Sequence, residues 1–350
     1  MDSGPVPSEK SPVRNIFVVP GSHEAPSGGN IYNLCLVDSL KKKGVNVESE
    51  TPARAAVSRH PEEKRTYWVD TLCIGYIDEL LSIKEKYEDV FLIIHHLQSL
   101  EPGLSREERI RECAKEKKVF DAVSGFLVTS PFTREVLRQR GVSAKPVFVV
   151  PPAPSIFPSS KKKAIREFSG LMVANLIPRK GILEFLEAMG RRVTRKDDFR
   201  IRIAGRFDID LEYSRRCLDA VQRNPILSAS VIFSGPLPLN RMKREYENAN
   251  VFISASKMET YGMALQEARE FGLPILTLEA GYAGVHVDPG RNGWLCKSIG
   301  ELSDACLSFI REPERLCRLR EKIRIPSGRT RYSWDDAADR FIDQYREYRG

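Results

Sequence analysis

The 350-residue sequence predicts an α/β protein with two doubly wound domains that face each other across a cleft. Short apolar runs alternate with segments of helical periodicity along most of the chain, as in parallel sheets covered by helices. A proline-rich stretch at residues 151–154 interrupts this alternation, which then restarts. The length also favours two domains of about 150 residues each, since one hydrophobic core rarely organises so long a chain.

The first predicted domain covers residues 15–150, after an arm at 1–14 that we expect to be disordered. Residues 31–43 have apolar side chains at helical spacing and end before Gly44, which together predict a helix. Residues 90–94 form an apolar run that predicts a buried strand. The predicted strands are 15–19, 45–47, 90–94, 125–129 and 147–150, and the predicted helices are 31–43, 74–87, 106–120 and 131–141.

A linker at 151–164 leads to the second predicted domain, residues 165–330. The predicted strands are 170–174, 199–204, 231–233, 251–254 and 274–278, and the predicted helices are 181–190, 211–223, 239–249, 263–271 and 302–310. The closing segment, 331–350, has apolar or aromatic residues at helical spacing, so we expect a helix that packs back on the first domain. Both domains are thus Rossmann-like, and ligands of such sheets bind beyond the carboxyl ends of the strands.

Composition excludes several classes of protein. With 41% hydrophobic and 29% charged residues, the chain matches a globular protein rather than a disordered or fibrous one. Its longest apolar runs are far shorter than the roughly 20 residues that cross a bilayer. The first residues lack the pattern of a secretory signal, so we expect a cytoplasmic location. The seven cysteines are scattered without a C-x-x-C pair, which argues against a structural zinc site.

The net charge of +8 is unevenly distributed. The first 150 residues hold 21 basic and 21 acidic residues, so the whole excess lies in the second half. Such asymmetry suggests a partner that is anionic: a phosphorylated small molecule, a nucleic acid or a membrane surface. Charge alone does not choose among them.

The most specific pattern is the segment 256–268, which follows the predicted strand 251–254. Glu259 lies in the loop, Gly262 allows a turn into a helix, and Glu267 falls in the second helical turn. The first N–H groups of that helix can then face an anion such as a phosphorylated sugar. The same spacing also fits two solvated glutamates on an amphipathic helix, and the residues alone leave both interpretations open.

This segment resembles the donor-site signature of the retaining nucleotide-sugar glycosyltransferases of GT-B fold, family 4 (glycosyl transferases group 1). The resemblance consists of a strand, Ser256, a Glu-x7-Glu-Ala pattern and then residues 272–275, Gly-Leu-Pro-Ile. Other segments resemble the same family in the same order, so that the similarity extends over about residues 15–348. They are Gly28-Gly29, His95, residues 129–133, residues 178–181, Ala204-Gly205, Ser234-Gly235, residues 292–295 and residues 332–334.

The resemblance implies roles in donor binding. Glu267 would bind the ribose hydroxyls, Glu259 would contact the sugar ring, and Lys180 with Arg179 would neutralise the diphosphate leaving group. As an isolated pair, Arg179-Lys180 also fits a solvated turn before a helix. Backbone N–H groups would help to hold the sugar and the distal phosphate; they belong to Tyr261, Gly262, Met263 and Ala264.

Three residues of the first domain receive roles from the same resemblance. His95 would face the donor sugar across the cleft and stabilise charge near the reacting carbon, and Gly28 and Gly29 would let the backbone approach the diphosphate and the acceptor. A histidine at the end of a buried strand can equally be a core residue with one hydrogen bond. His96 adjoins His95, and the sequence does not decide which of the two faces the donor.

The sequence departs from the family pattern in two places. Where many members have an Arg after the first strand of the second domain, this chain has Asn175, so Arg179 or Arg206 would have to compensate. The loop at 281–285 lacks the Glu that often follows its glycines.

Asp208 and Asp210 have the spacing of a metal-binding D-x-D, but a surface loop is the simpler interpretation. Residues 21–29 are not G-x-G-x-x-G, which argues against an NAD enzyme.

These observations predict a retaining glycosyltransferase that moves a sugar from a nucleotide diphosphate sugar to an unidentified acceptor (a glycan, a lipid or a small molecule). We expect no cofactor, no catalytic metal and no nucleic-acid partner, and we leave open a peripheral contact with an anionic membrane at its inner face. The alternatives are a nucleotide-sugar epimerase or phosphorylase on the same fold, or a non-enzymatic binder of nucleic acid or anionic surfaces. The donor's base and sugar, the acceptor and the oligomeric state stay open.

Overall fold

The computed structural model describes residues 13–21, 27–57, 64–76, 89–159, 167–323 and 331–350. The chain divides into two compact units. The first unit comprises Met1–Ser99, Arg106–Pro151 and Trp334–Gly350, and the second comprises Leu100–Ser105 and Pro152–Ser333. Most of the predicted arm, residues 77–87 of the predicted helix 74–87, residues 160–164 of the predicted linker and residues 324–330 lie outside the described residues.

The first unit contains a six-stranded parallel sheet of order β2-β1-β3-β4-β5-β6. Its strands are β1 Arg14–Val18, β2 Val47–Glu50, β3 Arg65–Asp70, β4 Asp89–Ile94, β5 Gly125–Val128 and β6 Val147–Val149. Its α-helices are Gly28–Lys42, Pro52–Val57, Arg106–Ala122, Pro131–Gln139 and Trp334–Arg349, and a 3-10 helix spans Thr71–Tyr76. The strand order reverses between β1 and β3, so the loops after these two strands diverge and leave room for a ligand.

The strand β3 was missed by the sequence analysis. All six of its residues are buried, although three of them, Arg65, Thr66 and Asp70, are polar or charged. Strand prediction depends on an apolar run or a strict alternation, and this segment has neither. The sheet nevertheless places β3 centrally, between β1 and β4.

The second unit contains a parallel sheet of order β12-β11-β10-β7-β8-β9. Its strands are β7 Phe168–Val173, β8 Phe199–Ala204, β9 Val231–Gly235, β10 Val251–Ser254, β11 Ile275–Leu278 and β12 Gly293–Cys296. Its α-helices are Ile182–Gly190, Leu211–Gln222, Pro225–Ser230, Leu239–Asn248, Met263–Glu270, Ile299–Arg311 and Pro313–Lys322, with 3-10 helices at Pro178–Lys180 and Ala283–His286. The reversal of strand order lies between β7 and β10.

Apolar side chains fill both faces of this second sheet. Leu186, Ile203 and Leu302 belong to the core on one face, whereas Phe252 and Phe271 belong to the core on the other. The strand β12 and two helices, Pro225–Ser230 and Pro313–Lys322, were not predicted from the sequence. The strand β12 begins at Gly293, where a Cβ would lie 2.1 Å from the Ile275 carbonyl oxygen, so this glycine permits close pairing with β11.

The C-terminal helix, Trp334–Arg349, packs on the first unit. Its Phe341 is fully buried, with its ring centroid 4.7 Å from that of Trp68. The Tyr345 hydroxyl lies 2.7 Å from the Thr66 hydroxyl, and the Gln344 side chain accepts the Val149 N–H. The helix therefore completes the core over β3 and the edge of β6. Within the described ranges, no helix is both long enough and apolar enough to span a membrane.

Candidate functional site

The loops after β7 and β10 place Lys180 and Glu259 side by side. These two strands are neighbours at the point where the strand order of the second sheet reverses. Lys180 ends the short turn Pro178–Lys180, and its Nζ lies 2.5 Å from Glu259 Oε1. Two predicted site residues 79 positions apart are thus brought into one ion pair. Reversal points of this kind are where open α/β sheets bind ligands.

Gly181 fixes the turn that carries Lys180. Its φ is +63°, a conformation that glycine adopts without steric cost. A Cβ on Gly181 would lie 2.2 Å from the Ala255 carbonyl oxygen, so no larger residue fits here without a backbone shift. In addition, the Lys257 N–H donates to the Arg179 carbonyl over 2.8 Å. The two loops therefore hold each other in register.

The Lys180–Glu259 pair is largely shielded from solvent, with side chains 18% and 13% exposed. Burial lowers the pKa of Lys180, and the negative charge of Glu259 opposes that shift. Burial alone would raise the pKa of Glu259, but Lys180 and Arg179 outweigh it and hold this pKa below its ordinary value. The cations thus favour the ionised form of Glu259 in a partly dry site, where electrostatic interactions are strong.

Arg179 points to a carboxylate that the sequence analysis did not single out. Its Nε donates to Glu101 Oε1 over 3.0 Å, and its Nη1 donates to the Met258 carbonyl over 3.2 Å. Glu101 belongs to Leu100–Ser105, which clusters with the second unit. The sequence analysis placed this segment in the predicted domain 15–150. No local pattern marks Glu101, because its role depends on a partner 78 residues away.

Arg206 has a different environment from Arg179. Its guanidinium forms a bidentate ion pair with Asp208 on the surface, in which Nε lies 2.9 Å from Oδ1 and Nη2 lies 2.7 Å from Oδ2. The Asn175 side chain accepts the Arg206 N–H over 3.0 Å. Asp210 caps the helix Leu211–Gln222, where it accepts the Tyr213 N–H. No group of three or more His, Cys, Asp or Glu side chains suited to a metal occurs in the part of the chain that the structure describes.

Glu267 lies in the second turn of the helix Met263–Glu270 and is 8% exposed. It accepts a hydrogen bond from the Tyr246 hydroxyl over 3.0 Å, and another from the Ser155 N–H. Burial raises the pKa of Glu267 to about 7. Burial also raises the pKa of Tyr246, so this hydroxyl stays a donor. Glu267 is therefore buried, and the alternative interpretation, in which it is a solvated glutamate on an amphipathic helix, is not supported.

The same helix begins at a left-handed glycine. Gly262 has a φ of +91° and provides no side-chain cap. The N–H groups of the first helical turn, which include those of Met263 and Ala264, have no acceptor within the helix. The preceding carbonyl of Tyr261 accepts a hydrogen bond from His286 Nε2 over 2.7 Å. His286 therefore anchors the residue before the helix, and the first N–H groups of the helix are not used by the helix itself.

His286 was missed by the sequence analysis, although it supports this loop. It is 2% exposed, and burial lowers its pKa to about 4, so the ring is neutral at pH 7. The Tyr282 N–H donates to the Glu259 carbonyl over 2.7 Å. Gly281 has a φ of +58°, and a Cβ there would lie 2.2 Å from that same carbonyl oxygen. The segment 281–286 thus holds the backbone of Glu259 and Tyr261 in place.

In the first unit, the helix Gly28–Lys42 starts against His95, which directly follows β4. Ser27 caps the helix by accepting the Asn30 N–H. A Cβ on Gly29 would lie 2.8 Å from His95 Cδ2, so the absence of a side chain at Gly29 lets the ring approach the helix. Gly28, Gly29 and His95, all predicted site residues, are therefore brought together.

Two polar partners of His95 were not predicted. His95 Nε2 lies 3.0 Å from Asn33 Oδ1 and 3.3 Å from Asp70 Oδ2. Asp70 ends the strand β3, which the sequence analysis missed, so its position next to β4 could not be inferred. Asn33 lies on the helix Gly28–Lys42 and is buried. A hydrophobic pattern gives no sign of either.

Comparison with known proteins relates the second unit to one family. Residues 157–325 match the family described as glycosyl transferases group 1. A curated relative is D-inositol 3-phosphate glycosyltransferase of Gordonia bronchialis, 27% identical over 121 residues. That similarity covers 34% of this chain and 26% of the relative. The chain thus matches about a quarter of the length of that curated protein.

Solved structures resemble the fold over nearly the whole chain. Sucrose-phosphate synthase from Thermosynechococcus elongatus has a TM-score of 0.77 at 18% identity, covering 96% of this chain and 99% of that one. Anabaena HepE, in complex with UDP and glucose, has a TM-score of 0.72 at 14% identity, covering 96% of this chain and 100% of that one. These similarities confirm the fold class predicted from the sequence.

Proposed function

Because residues 157–325 belong to the glycosyl transferases group 1 family and the chain has the GT-B fold, we propose that the protein transfers a sugar from a nucleotide diphosphate sugar to an acceptor. The observation that carries the proposal is the buried Lys180–Glu259 pair at the reversal point of the second sheet. A cation beside a carboxylate suits a ligand that has a diphosphate next to a hydroxylated ring.

The donor's charge determines the roles of the nearby groups. Lys180 and Arg179 bind the diphosphate and stabilise the negative charge that develops on it as the sugar leaves. The first N–H groups of the helix Met263–Glu270 add a partial positive charge to the same region. These fixed charges support a reaction without a catalytic metal, which is part of the proposal.

The two glutamates bind the hydroxylated parts of the donor. Glu259, kept ionised by Lys180, accepts hydrogen bonds from the hydroxyls of the sugar. Glu267 accepts hydrogen bonds from the ribose, and its burial makes this interaction sensitive to pH near 7. Tyr246 keeps the carboxyl of Glu267 in position through its hydroxyl.

We propose that the transfer retains the configuration at the anomeric carbon. The bond between that carbon and the diphosphate oxygen breaks, and a bond from the acceptor oxygen forms on the same face of the sugar. The acceptor's proton goes to the departing diphosphate oxygen, so no protein carboxylate is needed as a nucleophile. His95 stabilises charge near the reacting carbon, and the reaction takes place in the cytoplasm.

The donor is tested with the full chain and a small panel of nucleotide sugars. UDP-glucose and GDP-mannose are the first candidates, because HepE binds UDP with glucose and a curated relative of Mycobacterium tuberculosis is named a GDP-mannose-dependent alpha-mannosyltransferase. D-inositol 3-phosphate is the first acceptor, after the name of the Gordonia relative. Release of nucleoside diphosphate and the mass of the product are measured, and a product's anomeric proton reports retention or inversion.

Lys180→Met provides the site control for this assay, and Lys257→Met is its matched partner. Lys257 Nζ lies 2.5 Å from Glu184 Oε1, an ion pair of equal length close to the site. We expect Lys180→Met to reduce turnover about a hundredfold or more and Lys257→Met to leave it near the wild-type value. Equal activity in both variants, or no response to any nucleotide sugar, would refute the proposed function. Loss of activity with EDTA that Mg²⁺ or Mn²⁺ restores would refute the metal-free reaction.

A further inference from the structure

We propose that Asp70, both directly and through Asn33, fixes the protonation of His95 so that Nε2 always carries a hydrogen and Nδ1 is the proton-accepting nitrogen. The inference rests on the proposed function for its catalytic meaning, since that proposal gives His95 its role in charge stabilisation. Asp70 is then a positioning residue that acts through another side chain. Three side chains from three different elements make up the arrangement.

The first step is the charge state of Asp70. Its side chain is fully buried at the end of β3. Burial alone would raise the pKa of Asp70, but His95, the Leu72 N–H and the Asn33 amide together hold it below its ordinary value. The Leu72 N–H donates to Oδ1 over 2.8 Å. At neutral pH this carboxylate is ionised and can only accept hydrogen bonds.

The second step is the orientation of the Asn33 amide. Asn33 Nδ2 lies 2.6 Å from Asp70 Oδ2. An ionised carboxylate has no hydrogen to donate, so the Asn33 group that touches it must be the NH₂. Asn33 Oδ1 is therefore the atom that faces the histidine. Both Asn33 and Asp70 are buried, and water does not compete for these bonds.

The third step concerns the histidine. Nε2 of His95 lies 3.0 Å from Asn33 Oδ1 and 3.3 Å from Asp70 Oδ2, and both of these oxygens are acceptors. A nitrogen placed between two acceptors must provide the hydrogen, whether the ring is neutral or cationic. In the neutral ring, the lone pair is then on Nδ1. The ring is held laterally by Gly29 and by the edge-on ring of Tyr32, 5.1 Å away.

The tautomer has a consequence for the reaction. A histidine that stabilises charge or shuttles a proton must present the correct nitrogen, and a partner on the opposite nitrogen decides which one that is. Titratable groups near His95 in this unit include Asp70 with the buried thiol of Cys73 beside it, the adjacent His96, and the Tyr32 hydroxyl, which donates to the Val150 carbonyl.

The test reads the tautomer directly in the full ¹⁵N-labelled chain. A long-range ¹H–¹⁵N spectrum resolves the ring nitrogens of the five histidines, and the signals absent from His95→Gln identify His95. We expect Nε2 to be protonated and Nδ1 to be the unprotonated type. In Asp70→Asn the new amide can donate to Asn33, which allows Asn33 to turn over, so we expect the preference for Nε2–H to be lost. In Asn33→Leu, Asp70 remains as the acceptor, and the preference should persist.

The control is Asp89→Asn, which removes an aspartate at the start of β4 whose partners are Tyr348 and Arg349. It should leave the His95 signals unchanged. A wild-type ring protonated on Nδ1 would overturn the inference, even if Asp70→Asn did not fold. The inference would also be overturned if folded Asp70→Asn kept the wild-type tautomer. It would be overturned as well if Asn33→Leu lost the preference for Nε2–H while Asp70→Asn kept it.

Activity is measured on the same variants once a donor is known. Asp70→Asn should reduce turnover about tenfold or more while the affinity for the donor changes little, because Asp70 acts on the protonation of His95. If no nucleotide sugar reacts at all, the proposed function fails, yet the spectrum still decides the tautomer. If transfer is seen but His95 carries its hydrogen on Nδ1, the inference fails alone.

Discussion

Gly181 and Ala255 approach each other so closely that a Cβ on Gly181 would stand 2.2 Å from the Ala255 carbonyl oxygen. Gly181 follows Lys180, and Ala255 follows the strand β10 in the loop that leads to Glu259. The distance between these two backbone segments therefore sets the distance between the cation and the carboxylate of the candidate site.

Gly181→Ala is expected to destabilise the second unit by about 2–5 kcal/mol, from the left-handed backbone together with the steric clash. Gly290→Ala is the matched control in the same unit, since Gly290 has a φ of +77° with nothing within 4 Å. It should cost only the backbone part, about 1–2 kcal/mol. Urea unfolding measures both, and equal losses in the two variants would mean that the contact with Ala255 is unimportant.

Arg179, rather than Arg206, is expected to supply the second cation for the diphosphate. Arg179 shares the turn of Lys180, whereas Arg206 pairs with Asp208 on the surface. Arg179→Ala should weaken binding of UDP or GDP, whichever binds the wild type, about tenfold or more, and Arg206→Ala should change it little. Calorimetric titration measures both constants. The reverse order of effects would move the phosphate contact to Arg206.

Glu267 is expected to make stability depend on pH. Its pKa is raised from the ordinary 4.5 to about 7, so the folded protein favours the protonated carboxyl. The stabilisation is complete below pH 4.5 and is lost as the pH rises through about 7. Relative to Glu267→Gln, the wild type should therefore lose on the order of 3 kcal/mol between these values.

The control for this pH experiment is Glu135→Gln. Glu135 is exposed, and its hydrogen bond with Arg138 lowers its pKa to about 2. Its contribution is present above the ordinary value of 4.5 and is lost only at lower pH, as the pH falls through about 2. Chemical unfolding at a series of pH values should thus give a constant difference from the wild type between pH 4.5 and 7.5. A flat profile for Glu267→Gln as well would show that Glu267 ionises normally.

Phe341 is expected to be the anchor of the C-terminal helix. It is fully buried against Trp68, and it lies 6.1 Å from Phe17 between ring centroids. Phe341→Ala should destabilise the first unit by about 3–5 kcal/mol. Tyr348→Ala, on the same helix but 36% exposed, should cost clearly less. Tryptophan fluorescence during urea unfolding follows the change, and similar losses would indicate that the helix is held mainly by its ends.

Much of the fold follows from local patterns, and the exceptions have a common cause. The strand β8 alternates apolar residues with arginines and β10 is an apolar run, and the sequence predicts both to the residue. The strand β3 is buried but carries Arg65, Thr66 and Asp70, whose burial depends on partners elsewhere in the chain. Lys180 and Glu259 were each assigned to the donor site through a resemblance, and their ion pair is a property of the folded loops.

The residues that hold the predicted site residues in place could not be predicted from the sequence. Glu101, His286 and Asp70 each act on a predicted residue through one hydrogen bond over a long separation in sequence. A single polar residue in a loop or at a strand end has no periodicity. The order of strands in the sheets, which no local sequence pattern reveals, places these residues beside their partners.

Because the helix Trp334–Arg349 packs on the first unit, it affects the order in which the two units can fold during synthesis. The ribosome completes residues 152–333 before it makes this helix, so the second unit can fold while the first still lacks a wall of its core. Until then the rings of Phe17 and Trp68 have an uncovered side. Nascent chains arrested at residue 333 should therefore be bound by chaperones that recognise exposed aromatic surface, and release should follow once residues 334–350 emerge.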